Sequence, residues 1–245
     1  MIWMPNVSAV EHVHFSLVAL FENEEDPVSP AGVKSADLLE SACGRPHTGI
    51  GESEKYDTLY RKAAALFHSL TKNHAFHNGN KRTALVAILT TLHRNNRRLK
   101  PEVTDDELFE FVLAVTADQF PDPLYKVDAD TVVEEISKWL KERTISVPSS
   151  TAGMKTTDFL SRCKQAGVKY KEGKGGTHVL QSGGVGVNIS RSTKQLDGAV
   201  VRQYLKRLKL NEVAGIGMDE FKDGTSGERE QIYRFMATLK RLAKT

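Results

Sequence analysis

Between Ile145 and Gly153 the chain reads ISVPSSTAG, and the two sides of that stretch follow different rules. Small, polar and punctuated by Pro and Gly, it has the composition of a linker. Upstream, apolar residues recur every three to four positions, as amphipathic helices require; downstream, short alternating runs replace them. The charge changes sign at the same place. Residues 1–150 carry 16 basic and 22 acidic side chains, a net of −6, whereas residues 151–212 carry 12 and 4, a net of +8. A chain of 245 residues can form two small domains. The pattern predicts a first domain over 1–146, a linker over 147–153, a basic domain over 154–212 and a helical tail over 213–245. The basic segment has the charge for a nucleic-acid partner.

Other classes are disfavoured. The longest apolar runs, FSLVALF and ALVAIL, are far too short to span a membrane. MIWMPNVS lacks the basic start and apolar middle of a signal peptide. Cys43 and Cys163 are the only cysteines, which supports neither a disulfide framework nor a zinc cluster. A reducing cytoplasm is the expected location.

In the first half, Val10, Val13, Leu17 and Leu20 or Phe21 mark one helix, and Ser35 to Cys43 a short second one. GRPHTGIGE reads as a loop or hairpin. Leu59, Ala63, Leu66, Phe67 and Leu70 predict a helix from about Glu54 to Lys72, and Leu85, Ile88, Leu89 and Leu92 another from Asn80 to Asn95 or Asn96. Further helices are expected over 104–118 and 128–143. This half reads as all-α with one hairpin. In the second half, a helix carrying Phe159, Leu160 and Cys163, the strands VKY, THVLQ and VGVNI, and a helix from Leu196 to Leu208 give the order α-β-β-β-α. One more helix is expected from about Glu228 to Ala243.

The sharpest local feature is HAFHNGNKRTA, His74 to Ala84, between two helices. The helix opening near Asn80 offers unpaired N–H groups and the positive end of its dipole. Gly79 lets a ligand approach that backbone. Lys81 and Arg82 add two cations where the dipole disfavours them, which makes sense if an anion such as phosphate is expected. His74, just outside that turn, could accept a proton from an attacking hydroxyl, and the apolar Phe76 would fasten the loop. By itself, a histidine in such a loop is more often a cap or a surface residue than a base. His74 and His77 lack the acid or cysteine that a metal site would need.

HAFHNGNKRTAL resembles the signature of the Fic/Doc (Fido) superfamily, and NKRTAL its death-on-curing branch; the likeness extends over about residues 7–120. The resemblance implies a mainly α Fido helical bundle and a transferase acting on a target-protein hydroxyl, with His74 as general base. It implies that Asn78, Gly79, Asn80, Lys81 and Arg82 hold the phosphates of ATP or another nucleoside triphosphate, Arg82 also serving catalysis. Lys81, together with Leu85 where adenylylating members carry a second arginine, implies transfer of the terminal phosphate rather than AMP. A toxin role, a translation factor as target and a cognate antitoxin follow from the same likeness. Asn78 departs from the family, which has an acid there for Mg²⁺. An amide oxygen brings no charge, and hard cations usually engage carboxylates. No self-inhibitory [S/T]-x-x-x-E-[G/N] helix is present.

MKTTDFLSRCKQAGVKYKEGKGGTHVLQ resembles the start of HicA-type toxins, small α/β domains of the double-stranded-RNA-binding kind, with Gly176, Thr177 and His178 as the matching residues. That likeness implies RNA binding and, through His178, RNA cleavage. Alternation with Val179 would place His178 on the exposed face of its strand. Lys169, Lys171, Lys174, Arg191 and Lys194 flank the strands, where they could meet phosphates. Two functions thus stand side by side: a Doc-like phosphotransferase with a basic, RNA-binding appendage, or an RNA-binding or RNA-cleaving protein with a regulatory or degenerate Fido domain.

Overall fold

The computed structural model describes residues 2–51, 53–124, 127–147, 153–210, 221 and 227–245. They fall into two compact units, Met1–Val147 with Gly227–Thr245, and Pro148–Ser226. Each has a separate apolar core.

The first unit is mainly helical, and side-chain caps decide where several helices begin. Asn6 accepts from the Ala9 N–H to open α1 (Val7–Phe21), and Ser35 accepts from Leu38 to open α2 (Ala36–Gly44). Helix α3 starts at Leu59 rather than near Glu54, because the Thr58 hydroxyl accepts from the Arg61 N–H. The residues before it, Ser53–Glu54 (β2), pair instead with Gly49–Ile50 (β1) as a small antiparallel hairpin. Helix α3 ends at Lys72, and α4 spans Asn80–Arg94. Both are buried almost all round, from Lys62 to Thr71 and from Arg82 to Leu92, so they form the centre of the unit.

Helices α5 (Asp105–Thr116) and α6 (Ala129–Arg143) pack outside them, opened by Thr104 and Asp128. Phe111 of α5 stacks between Phe67 of α3 and Trp139 of α6, at centroid distances of 5.3 and 3.9 Å.

Two further differences from the sequence reading stand out in this unit. Arg97–Leu99 (β3) pairs antiparallel with Thr144–Ser146 (β4), so the half is not all-α with a single hairpin, and Ile145 and Ser146 belong to a strand. These pieces are too short to show a period; pairing satisfies backbone groups where the chain leaves α4 and α6. Residues 148–152 of the expected linker lie outside the described residues. Of the expected tail, residues 213–220 and 222–226 lie outside the described residues; among those described, α9 (Gly227–Arg234) and α10 (Met236–Ala243) are separate helices where one was expected, broken where the Phe235 backbone (φ −112°, ψ 29°) leaves the helical region. Ile232, Phe235, Leu239 and Leu242 join the core of the first unit.

The second unit contains α7 (Thr156–Gln165), an antiparallel sheet of β6 (Lys169–Gly173), β7 (Thr177–Ser182) and β8 (Val185–Ser190), and α8 (Gly198–Arg207). A further pair joins β5 (Met154–Lys155) to β9 (Gln195–Leu196). Leu180, Val187 and Ile189 on one sheet face share a core with Phe159, Cys163, Val201, Leu205 and Leu208. This is the expected α-β-β-β-α order. Among the described residues, no helix is long and apolar enough to cross a membrane.

Candidate active site

The loop between α3 and α4 is held along most of its length. The Asn73 side chain donates to the Leu38 carbonyl at 2.9 Å. His74 then takes a left-handed backbone (φ 49°), which turns the chain sharply and leaves its imidazole exposed. The Ala75 carbonyl accepts from the N–H groups of Lys34 (2.7 Å) and Ser35 (3.1 Å), and Val33 bridges Phe76. The His77 N–H donates to the Gly32 carbonyl at 3.1 Å. Asn80 grips Phe76 twice, accepting from its N–H and donating to its carbonyl, both at 2.9 Å. Backbone groups that could not pair within a helix are thus satisfied by residues 32–35 and by Asn80.

Phe76 is buried, as expected, and the face it meets is His14 of α1, with ring centroids 4.2 Å apart and planes 15° from parallel. His14 Nε2 accepts from the Gly32 N–H at 3.0 Å, which assigns the proton to Nδ1, whose partner is the Thr83 hydroxyl at 3.2 Å. Burial, reinforced by the nearby Arg82 charge, lowers the His14 pKa to about 4. One neutral ring therefore joins α1, the residue 32 loop, Phe76 and the first turn of α4. His14 was not singled out from the sequence, yet a signal was there: it lies on the same helical stripe as Val10, Val13, Leu17 and Phe21.

Gly79 precedes α4 with φ 73°, and a Cβ there would come within 2.9 Å of Val28 Cγ1. No side chain caps the helix, and two residues further on Lys81 is half-buried, its pKa lowered by desolvation. Its Nζ donates to the Thr245 backbone oxygen (2.6 Å) and hydroxyl (2.8 Å). Arg82 is only 2% exposed. Its guanidinium donates to the Asp26 carbonyl at 3.0 Å and lies 5.0 Å from the Phe21 ring centroid. The structure thus puts Lys81 at the surface of this turn and Arg82 behind it.

Asn78 is engaged at both ends, its Nδ2 with the Ser29 carbonyl (2.6 Å) and its Oδ1 with the Gly79 N–H (2.5 Å). Among the described residues no group of three His, Cys, Asp or Glu could hold a metal ion. Asn78, uncharged and with both amide atoms already paired, does not offer the carboxylate with which Mg²⁺ is usually held.

Residues 6–92 match the model of the Fic/DOC family. The chain is also similar to Toxin Doc of Mycolicibacterium smegmatis (strain ATCC 700084 / mc(2)155), with 42% identity over 74 residues. That match covers 30% of this chain and 57% of the toxin. The matched segment runs from the cap of α1 almost to the end of α4, so it contains the His14–Phe76 stack and the whole loop.

Within this segment, apart from Asp130, lies a polar cluster that no sequence pattern signalled. Arg45 donates to the Tyr56 hydroxyl (3.2 Å), to Ser69 Oγ (3.2 Å) and, at 2.9 Å, to His68 Nδ1, and it lies 3.6 Å from Asp130. Lys55 completes it with a 2.8 Å ion pair to Asp130. Burial, followed by the charges of Arg45 and Lys72, lowers the His68 pKa to about 4. The cluster ties the residues flanking β1 and β2 to α3 and α6.

In the second unit, the expectation for His178 is corrected. Leu180, fully buried, shares its sheet face, and Val179 points the other way. His178 is half-buried at the margin of the core side, where Tyr170 Oη meets its Nδ1 at 3.0 Å. Lys169 and Lys171 lie on the opposite, open face by register, while Lys174 and Lys194 are exposed outside the sheet. The sheet therefore separates His178 from Lys171.

Proposed function

We propose that the N-terminal part of this chain is a toxin that transfers the terminal phosphate of a nucleoside triphosphate to a hydroxyl of a target protein. The observation that carries this reading is the start of α4, an uncapped helix N-terminus with Lys81 in its first turn, reached by a loop that presents His74 to solvent. The N–H groups of that turn and the Lys81 ammonium would receive phosphate oxygens of ATP or another triphosphate. Arg82 contributes its charge from behind, with Asp26 fixing its position. His74 takes the hydroxyl proton as the oxygen bonds to the terminal phosphorus. The bridging P–O bond breaks, and its electron pair leaves on the nucleoside diphosphate. Lys81 and Leu85 favour phosphate over AMP transfer by their likeness to the Doc branch. A translation factor as target and an antitoxin as partner belong to the same reading.

The test is mass spectrometry of cellular proteins incubated with the full chain and ATP. An added phosphate that disappears with His74→Ala supports the reading; an added AMP, or no change, refutes it.

A second reading concerns Pro148–Ser226. Lys169 and Lys171 on an open sheet face favour RNA binding by this unit. Duplex RNA affinity that falls steeply with salt, and drops with Lys169→Glu/Lys171→Glu, is the expected result. Affinity unchanged by the double variant would remove the sheet face from consideration. His178→Ala tests cleavage separately.

A further inference from the structure

We propose that the outer face of α8 binds double-stranded DNA, its exposed side chains lying in the major groove. The proposal stands apart from both readings above, since it uses neither the motif loop nor the open face of the sheet.

The charge of this unit is one-sided. Residues 153–210 carry 12 basic side chains against 3 acidic ones. Glu172, one of the three, pairs with Arg191 at 2.5 Å. The other two stand at helix starts, Asp158 in the first turn of α7 and Asp197 just before α8, where the dipole favours them. None of the three falls within α8 itself.

Helix α8 has ten residues, a length of about 15 Å. Val201, Leu205 and, at its cap, Leu208 form the buried stripe. With successive residues about 100° apart, the opposite arc carries Ala199, Arg202, Gln203, Lys206 and Arg207, all exposed. Arg202 and Lys206 are like charges four residues apart, an arrangement that weakens a helix. The dipole favours Lys206 and Arg207 in the last turn, but it gives nothing to Arg202. Lys209 follows at φ 55°, a left-handed position that glycine usually fills. In the first unit exposed cations meet carboxylates, as Arg61 meets Asp57 and Glu134, and Lys138 meets Glu135. Among the described residues no carboxylate pairs with Lys206 or Arg207. An arc kept cationic against these local costs fits an anion supplied from outside.

The arrangement of the arc selects the anion. Ala199 and Gln203 lie along its centre, with Arg202 and Lys206 on one flank and Arg207 on the other. Flanking cations of this kind hold phosphates, while the neutral centre meets base edges. A Gln amide can both donate to and accept from adenine, and a methyl group packs on that of thymine. The major groove of B-DNA, about 12 Å wide, admits a helix. That of A-form RNA is too deep and narrow for side chains to read. The arc has no aromatic ring to stack on single-stranded bases, and no large apolar side chain to enter a lipid surface.

The cationic surfaces of this unit can be tested separately. Leu180, Val187 and Ile189 share their core with Val201 and Leu205 of α8, so Lys169 and Lys171 lie on the other side of the sheet.

The experiment measures binding of the full chain to a mixed-sequence DNA duplex, and to an RNA duplex of the same sequence, by fluorescence anisotropy over a range of salt. Wild type is compared with Lys206→Ala/Arg207→Ala and with Lys169→Ala/Lys171→Ala, and circular dichroism checks that each variant is folded. We expect the α8 variant to lose DNA affinity, the slope of log affinity against log salt falling by about two, near one for each phosphate contact removed. The sheet variant should bind DNA as the wild type does. Failure of the wild type to bind DNA, or an unchanged slope in the α8 variant, overturns the proposal. RNA bound as tightly as DNA through Lys206 and Arg207 overturns it as well, because a contact indifferent to duplex form is not a major-groove contact.

Discussion

The imidazole of His14 lies flat on the ring of Phe76, 4.2 Å away, and its two nitrogens reach Gly32 and Thr83. A residue from the first helix therefore sets the position of a loop more than sixty residues later in the chain.

Replacing His14 with Ala removes the stack and leaves the Gly32 N–H and Thr83 hydroxyl without a partner. Truncation of a buried ring together with lost hydrogen bonds predicts a loss of about 3 kcal/mol, measured by urea denaturation. His14→Phe keeps the stack and should recover part of this, while phosphate transfer stays depressed because the loop and α4 are no longer tied. Equal activity in the wild type and the Phe variant would show that the two hydrogen bonds are dispensable.

Acid should destabilise the first unit well before its carboxylates titrate. His14 and His68 are held neutral, each with a folded pKa of about 4 against an ordinary 6.5. Below pH 6.5 the unfolded chain binds protons that the folded chain refuses, so stability falls as pH drops from 6.5 towards 4. At pH 5 the loss is about 2 kcal/mol for each histidine. Thermal unfolding of wild type and His68→Gln between pH 7 and pH 4.5 checks this: the variant should show the shallower decline.

Gly79→Ala places a Cβ 2.9 Å from Val28 at a backbone φ of 73°. Strain and crowding together predict about 1–3 kcal/mol of destabilisation, with triphosphate affinity falling as α4 shifts. Calorimetry on the same sample reports both.

Asn78→Asp probes the departure from the family pattern. A carboxylate can still accept from the Gly79 N–H, but it cannot donate to Ser29. The loop should lose about 1 kcal/mol, while phosphate release from ATP becomes more dependent on magnesium than in the wild type. A wild-type protein already as magnesium-dependent as the variant would contradict the fit drawn here, and would require a ligand other than Asn78.

The helices of the first unit were legible because their apolar stripes repeat over three or four turns, and the motif was legible because its polar residues crowd into one turn. The β3–β4 pair was not. Arg97–Leu99 and Thr144–Ser146 are short and polar, and their pairing depends on where two helices end. His178 was placed on the wrong face for a related reason. His178, Val179 and Leu180 in succession fit either register, and only the helices covering Leu180 decide which side is buried.

What the sequence determined by itself is local: helix periods, the cationic turn at Lys81 and Arg82, the change of charge near residue 150 and the α-β-β-β-α order. These depend on neighbours a few positions apart. Only the tertiary structure decided the environment of the motif. It placed His14 against Phe76, Asp26 against Arg82 and Thr245 on Lys81, joining residues that the chain keeps far apart. Such contacts follow from how the helices pack, and packing is a property of the whole core rather than of any one segment.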